Sequence, residues 1–216
     1  MATFDVPQQR HPAAHNGAAE QPVPVPVSPA PKVANAGPLG LAAFALTTFL
    51  LSMLNANLVN KGVEPIVFGT ALCFGGIAQV LAGMWAFRAG NTFAGTAFTT
   101  YGGFWLSFWA LVQFFVKDIP AAQVGNAVGL YLIAWGMFTA LMFIASFKTS
   151  RAVNIVFGLL LVTFLLLGVG NAGGHTAVIH WGGYLGLITA ACAAYTSCAE
   201  LTNDTFGRAV LPLGAL

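Results

Sequence analysis

The chain has 216 residues, of which 57% are hydrophobic and only 6% charged, with a formal net charge of +2 and a mean hydropathy of +0.79. A soluble domain carries about 25% charged residues, so this chain cannot clothe a water-facing surface and reads as an integral membrane protein. With so small a net charge and no basic patch to meet phosphates, nucleic acid is excluded as a partner.

In chain order, residues 1–34 come first and are a different material. Val-Pro alternation from Val23 to Val27 favours extended polyproline geometry, no apolar block reaches signal-peptide length, and there is too little apolar surface to fold. The expectation is a disordered, proline-rich cytoplasmic tail. Residues 35–199 then hold six apolar runs of about the 20 residues that cross a bilayer. They are Leu39–Val59, Pro65–Phe87, Gly95–Val116, Gln123–Phe147, Val153–Gly170 and Ala177–Ala199. The connecting stretches, such as "NKGVEP", "RAGNT" and "NAGGHT", leave no room for a soluble domain. Residues 200–216 read as a cytoplasmic C-terminal tail.

The basic residues set the orientation. With both termini in the cytoplasm, Arg10, Lys32, Arg88, Lys148, Arg151 and Arg208 lie inside and only Lys61 and Lys117 outside, as the positive-inside rule requires. Gly125-x-x-x-Gly129 and Gly182-x-x-x-Gly186 each place two glycines on one helix face, which suits close packing within the bundle or between copies. Cys73, Cys192 and Cys198 sit in apolar runs and read as small buried residues.

No ionisable residue falls in the middle of a span, where pumps and ion-coupled carriers usually keep one. Glu64 and Glu200 are expected at helix ends, solvated by water or loop groups. The interior polar residues are neutral: Thr47, Thr48, Gln79, Thr99, Thr100, Tyr101, Thr139 and Thr163 among them. Each one singly is expected to bond a neighbouring helix; as a set they suit the lining of a narrow pore. No metal-ligand cluster, paired nucleophile and base, or phosphate-binding loop is present, so neither an enzyme, a metal site nor a cofactor is expected.

Several stretches in the right order resemble one family. Asn35-Ala36-Gly37-Pro38-Leu39-Gly40-Leu41 resembles the Asn-Pro-Ala-Pro-Leu-Gly-Leu signature of the acetate uptake transporter family, the succinate–acetate permeases. Gly75-Gly76-Ile77-Ala78-Gln79, Gly90-Asn91-Thr92-Phe93, Thr96-Ala97-Phe98-Thr99-Thr100-Tyr101-Gly102 with Phe104-Trp105, Phe206-Gly207-Arg208 and Val210-Leu211-Pro212-Leu213-Gly214 are similar to further family motifs. The resemblance spans Asn35 to Gly214. It implies an all-α, multi-pass plasma-membrane protein of six transmembrane helices, with a pore in each protomer and assembly as a homo-hexamer in lipid. It implies transport of acetate, with succinate or other small carboxylates, and an apolar constriction that falls on Phe44, Tyr101 and Leu160. Two departures stand out: Ala36 and Gly37 replace the first proline and the alanine of the signature, and Ala86 stands where many members carry a Glu.

On this reading Asn35 caps the first helix, Pro38 suits its first turn, and free N–H groups there favour an anion. Asn35, Gly37, Leu39 and Gly40 are therefore expected to form a carboxylate site at the cytoplasmic mouth. Thr47, Gln79 and Thr100 join the Tyr101 hydroxyl as polar groups for substrate in the pore. With no titratable relay in the protein, a proton that moves is expected to travel with the substrate or along water. Two rival readings stay open on the residues alone: a channel for small neutral solutes such as ammonia, urea or amides, and a non-transporting scaffold or sensor.

Overall fold

The computed structural model describes residues 33–214; the tail expected over residues 1–34 lies, up to residue 32, outside them. Helix α1 (Gly37–Asn55) starts where Asn35 Oδ1 accepts the Gly37 N–H at 2.8 Å and Pro38 occupies the first turn. It stops at Asn55, four residues short of the expected Val59, because Asn57 turns the chain at φ 57°, a left-handed conformation that asparagine tolerates. The second span is made of α2 (Pro65–Leu72), a π-helical turn (Cys73–Ala78) and α3 (Gln79–Arg88). The turn carries Gly75, where a Cβ would come within 2.6 Å of Thr47 Oγ1 and 2.9 Å of Trp105 Cδ1. Glycine there lets the second span close on α1 and α4 together.

Helix α4 (Thr92–Ala110) begins where Asn91 accepts the Ala94 N–H at 3.0 Å, and it ends in a second π-helical turn, Leu111–Phe115. Helices α5 (Val124–Ser146), α6 (Arg151–Gly173) and α7 (Thr176–Phe206) complete the bundle. Among the described residues, five helical runs are long and apolar enough to cross a membrane. The sixth span, α4, is long enough at 19 residues but interrupts its apolar run with Thr, Tyr and Ser. Helix α7 does not stop at Ala199; it continues to Phe206 and is closed by Gly207 at φ 63°. Glu200 therefore stands within a helix rather than at its end.

Packing is closest between α1 and α7, α5 and α6, α6 and α7, and α3 and α4. The core is drawn from α1 (Leu41, Phe44), α4 (Tyr101, Phe104, Trp105), α5 (Leu132) and α6 (Phe157, Leu160, Phe164, Leu167). Outside, Leu130, Met137, Ile144 and Trp181 are more than two-thirds exposed, as lipid-facing side chains are. Both Gly-x-x-x-Gly pairs are used inside this chain. Gly125 and Gly129 meet α6 backbone at 2.8 Å from where a Cβ would stand, while Gly182 faces Leu167 and Gly186 faces Ser52.

The buried threonines mostly bond their own helix, contrary to the expectation of bonds between helices. Thr47, Thr139, Thr163, Thr189 and Thr196 each donate to the carbonyl four residues earlier, at 2.7–2.9 Å. That bond satisfies a hydroxyl in an apolar medium without a partner helix. Bonds between helices are Tyr101 to Thr139 at 2.9 Å, Ser107 with Tyr131 at 2.8 Å, Tyr131 to the Phe104 carbonyl at 3.0 Å, Asn154 to Ser146 at 2.8 Å, Ser197 to the Pro38 carbonyl at 2.6 Å and a longer contact of Thr163 with Thr189 at 3.4 Å.

Beyond Gly207 the chain folds back as a strap against α7 and α6. Asn203 organises it, accepting the Val210 and Leu211 N–H groups at 2.7 and 2.9 Å and donating to the Leu211 carbonyl at 2.9 Å. The strap ends by giving the Leu213 and Gly214 carbonyls to the Ala152 and Arg151 N–H groups, each at 3.0 Å. These are first-turn donors of α6 that would otherwise lack partners. Asn203→Ala removes three bonds, so a stability loss of about 2–3 kcal/mol is expected. Thermal unfolding in detergent and faster cleavage by a carboxypeptidase would show it.

Candidate functional site

Two cavities approach the core from opposite ends of the bundle. One, of about 530 Å³, is lined by Lys61, Glu64, Tyr131, Asn171 and His180 and reaches Phe104, Leu132 and Leu167. The other, of about 370 Å³, opens between the starts of α1, α4 and α6 and is lined by Asn35, Gly37, Asn91, Ser150, Glu200 and Asp204, reaching Phe98 and Phe157. Between them lies a ring pack. Phe44 meets Tyr101 edge-on at 5.9 Å, and Tyr101 also meets Phe138 at 5.7 Å and Phe157 at 5.9 Å. Phe44, Tyr101 and Leu160 are 5%, 2% and 4% exposed and belong to one core cluster. Neither cavity crosses this neck, which is closed in the structure.

Tyr101 is held as well as buried. Its hydroxyl donates to Thr139 Oγ1 at 2.9 Å, and Thr139 donates on to the Trp135 carbonyl at 2.7 Å. The ring pack thus encloses two already-bonded hydroxyls in an apolar surround. Thr47, fully buried, has its hydroxyl on the Ala43 carbonyl. Gln79 is also fully buried, and its Oε1 has no hydrogen-bond partner among the described residues, a property shared with Thr48 Oγ1, Thr99 Oγ1 and Trp105 Nε1. Thr100 is half-buried, at the margin of the α4 face that carries Ala97, Tyr101 and Phe104.

At the α1 mouth the predicted residues part company. Asn35 and Gly37 line the 370 Å³ cavity, whereas the Leu39 side chain is 45% exposed on the outside of α1. Gly40 is buried against Phe98, whose ring would lie 2.5 Å from an added Cβ. Few first-turn donors are free. The Gly37 N–H bonds Asn35, Pro38 has none, and the Gly40 N–H bonds the Ala36 carbonyl at 3.1 Å. The mouth also holds what the sequence reading placed in solvent: Asn35 Nδ2 donates to Glu200 Oε2 at 3.1 Å. Position 86, the second departure, is buried and lines with Asn35 and Asp204 a further cavity of about 520 Å³. Glu200 was hidden in the sequence because the apolar run ends just before it. Its signal was the helix-permissive "ELTNDTF", which carries α7 onward to the glycine that caps it.

Six apolar spans enclosing two opposed cavities and a ring-lined neck define a multi-pass helical membrane protein of the transport class. The chain belongs to the GPR1/FUN34/yaaH family, which it matches over residues 17–214. It is 42% identical over 186 residues to the succinate-acetate/proton symporter SatP of Escherichia coli, covering 85% of this chain and 96% of that protein. Acetate permease A of Emericella nidulans is 38% identical over 197 residues, 84% of this chain and 66% of the relative. The ammonia transport outward protein 2 of Saccharomyces cerevisiae is 43% identical over 185 residues, 82% of this chain and 65% of the relative. Among solved structures, that of the bacterial acetate channel SatP superposes with a TM-score of 0.79 at 42% identity, covering 85% of this chain and all of the other.

Proposed function

We propose that this protein carries acetate, and succinate as a further substrate, across the plasma membrane along a path inside each protomer. The observation that supports it most is the pair of cavities that enter the core from opposite ends, one reaching Phe104 and Leu132 and the other Phe98 and Phe157, with the Phe44, Tyr101 and Leu160 pack in the same core cluster, in a chain so similar to acetate-handling relatives. Arg88, Lys148, Arg151 and Arg208 follow or precede helices at the end where α1 begins, and Lys61 and Lys117 lie at the other. This favours a cytoplasmic location for the α1 mouth and both termini. Substrate meets Asn35 and the first turn of α1 there, then the neck, with Thr47, Gln79 and Thr100 as the neighbouring polar groups. Assembly as a homo-hexamer, with one path per subunit, completes the reading.

The neck decides which form crosses. A short alkyl acid titrates near the value of about 4.3 for a Glu side chain, so at pH 7 nearly all of it is anion. A closed apolar ring penalises a bare carboxylate far more than the neutral acid. The proton therefore travels with its substrate. In proteoliposomes, saturable acetate uptake above the protein-free background should rise roughly tenfold as outside pH falls from 7 to 6, following the neutral fraction. Uptake no greater than in protein-free vesicles overturns the transport reading. A protein-mediated flux indifferent to pH keeps transport and overturns co-movement of the proton.

A further inference from the structure

The length of α7 brings a carboxylate to the start of α1. Asn35 bridges the two, taking the Gly37 N–H on Oδ1 at 2.8 Å and donating from Nδ2 to Glu200 Oε2 at 3.1 Å. The same Glu200 oxygen lies where a Cβ on Gly37 would stand. One turn earlier on α7, Ser197 Oγ donates to the Pro38 carbonyl at 2.6 Å, pinning the helices together. The residue types chosen for this corner, an amide, a glycine and a proline, leave room and one donor arm for a carboxylate. The protein supplies that carboxylate itself.

We propose that Glu200 is a tethered stand-in for the substrate: its carboxylate occupies the seat at the α1 start, and an incoming carboxylate is admitted by displacing it. This rests on the reading of the chain as a carboxylate transporter. The seat has one amide donor, and two anions cannot share it without strong mutual repulsion. A tethered group competes at high effective concentration, commonly in the millimolar range, so a free acid binds weakly and leaves readily. The seat is also charge-selective. Asp204, one turn further along α7, lines the same cavity, and among the described residues no Lys or Arg does. A dianion therefore meets two fixed negative charges with both of its own, whereas a monoanion brings one.

The mechanism is testable with two substitutions that differ in charge and reach. Glu200→Gln keeps the length and an acceptor for Asn35 but loses the charge. Glu200→Asp keeps the charge but withdraws it from the seat by one methylene. Uptake of labelled acetate and succinate by proteoliposomes, at an outside pH where succinate is a dianion, gives the half-saturating concentrations. In E200Q the value for acetate should fall about threefold to tenfold, as expected for removal of a like charge in contact. The value for succinate should fall further. E200D should resemble E200Q more than wild type. Unchanged half-saturation in E200Q overturns the proposal, and so does an E200D that behaves as wild type, since the effect would then be general charge at the mouth. Wild-type vesicles that take up no acetate fail the transport reading itself, a distinct result.

Discussion

Gly183→Leu leaves no folded bundle to assay, and even Gly183→Ala lowers the thermal midpoint by many degrees. A Cβ at this position on α7 would lie against the Ala56 N and the Asn55 carbonyl carbon, the latter at 2.5 Å. Both are backbone atoms at the end of α1, so no side chain can swing aside to relieve the overlap. The two helices would have to separate, and theirs is among the closest packings in the chain. Overpacking a well-filled core commonly costs about 1–3 kcal/mol per site when side chains absorb it, and a backbone collision exceeds that range. Gly69, where an added Cβ meets nothing within 4 Å, provides the comparison. There alanine gains about 0.5–1 kcal/mol through helix propensity. Size-exclusion profiles and tryptophan fluorescence melts of the three variants in detergent would rank them. A monodisperse Gly183→Leu with a wild-type midpoint would contradict the α1–α7 packing.

Gly183 also shows what the sequence made legible and what it did not. The glycine spacing marked Gly182 and Gly186 because a period of four is visible in a string of letters. It passed over Gly183, since nothing in sequence says which single face of α7 abuts a helix end. The spans themselves followed from bilayer thickness and apolar run length, and the aromatic residues of the neck followed from family resemblance rather than from periodicity. The helix ends did not follow. Hydropathy registers lipid contact, and α7 leaves the apolar stretch at Ala199 while its hydrogen-bond ladder continues to Phe206. That continuation is what moves Glu200 from solvent to the α1 mouth. The π-helical turns at Cys73–Ala78 and Leu111–Phe115 were equally silent, because an extra residue in a turn changes geometry without changing composition. The polar interior was legible as a set but not in its bonding. A threonine's choice between its own helix and a neighbour depends on distances that residue types do not encode.

Phe44→Ala converts the neck from a selective to a permissive one. Phe44 closes against Tyr101 with ring centroids 5.9 Å apart, and Tyr101 is fixed from behind by Thr139 at 2.9 Å and flanked by Phe138 and Phe157. Tyr101 is tethered through its hydroxyl, whereas Phe44 is held by packing alone. Truncating it opens a space the size of the lost ring, and the fixed Tyr101 cannot fill it. On the proposed path butyrate should then enter, raising its uptake relative to acetate by about tenfold, or ~1.4 kcal/mol of discrimination lost. The protein itself should weaken by about 3–5 kcal/mol, the usual cost of a buried Phe→Ala, so a fluorescence melt must accompany each flux. Tyr101→Phe separates width from polarity. It keeps the ring and removes only the bond to Thr139, so the butyrate-to-acetate ratio should hold while stability falls by about 1 kcal/mol. If Phe44→Ala folds and still excludes butyrate as the wild type does, the barrier lies elsewhere than between these rings. Gln79 Oε1 and Trp105 Nε1, without hydrogen-bond partners among the described residues and buried beside the glycine-rich turn of the second span, would then be the next place to look for the path.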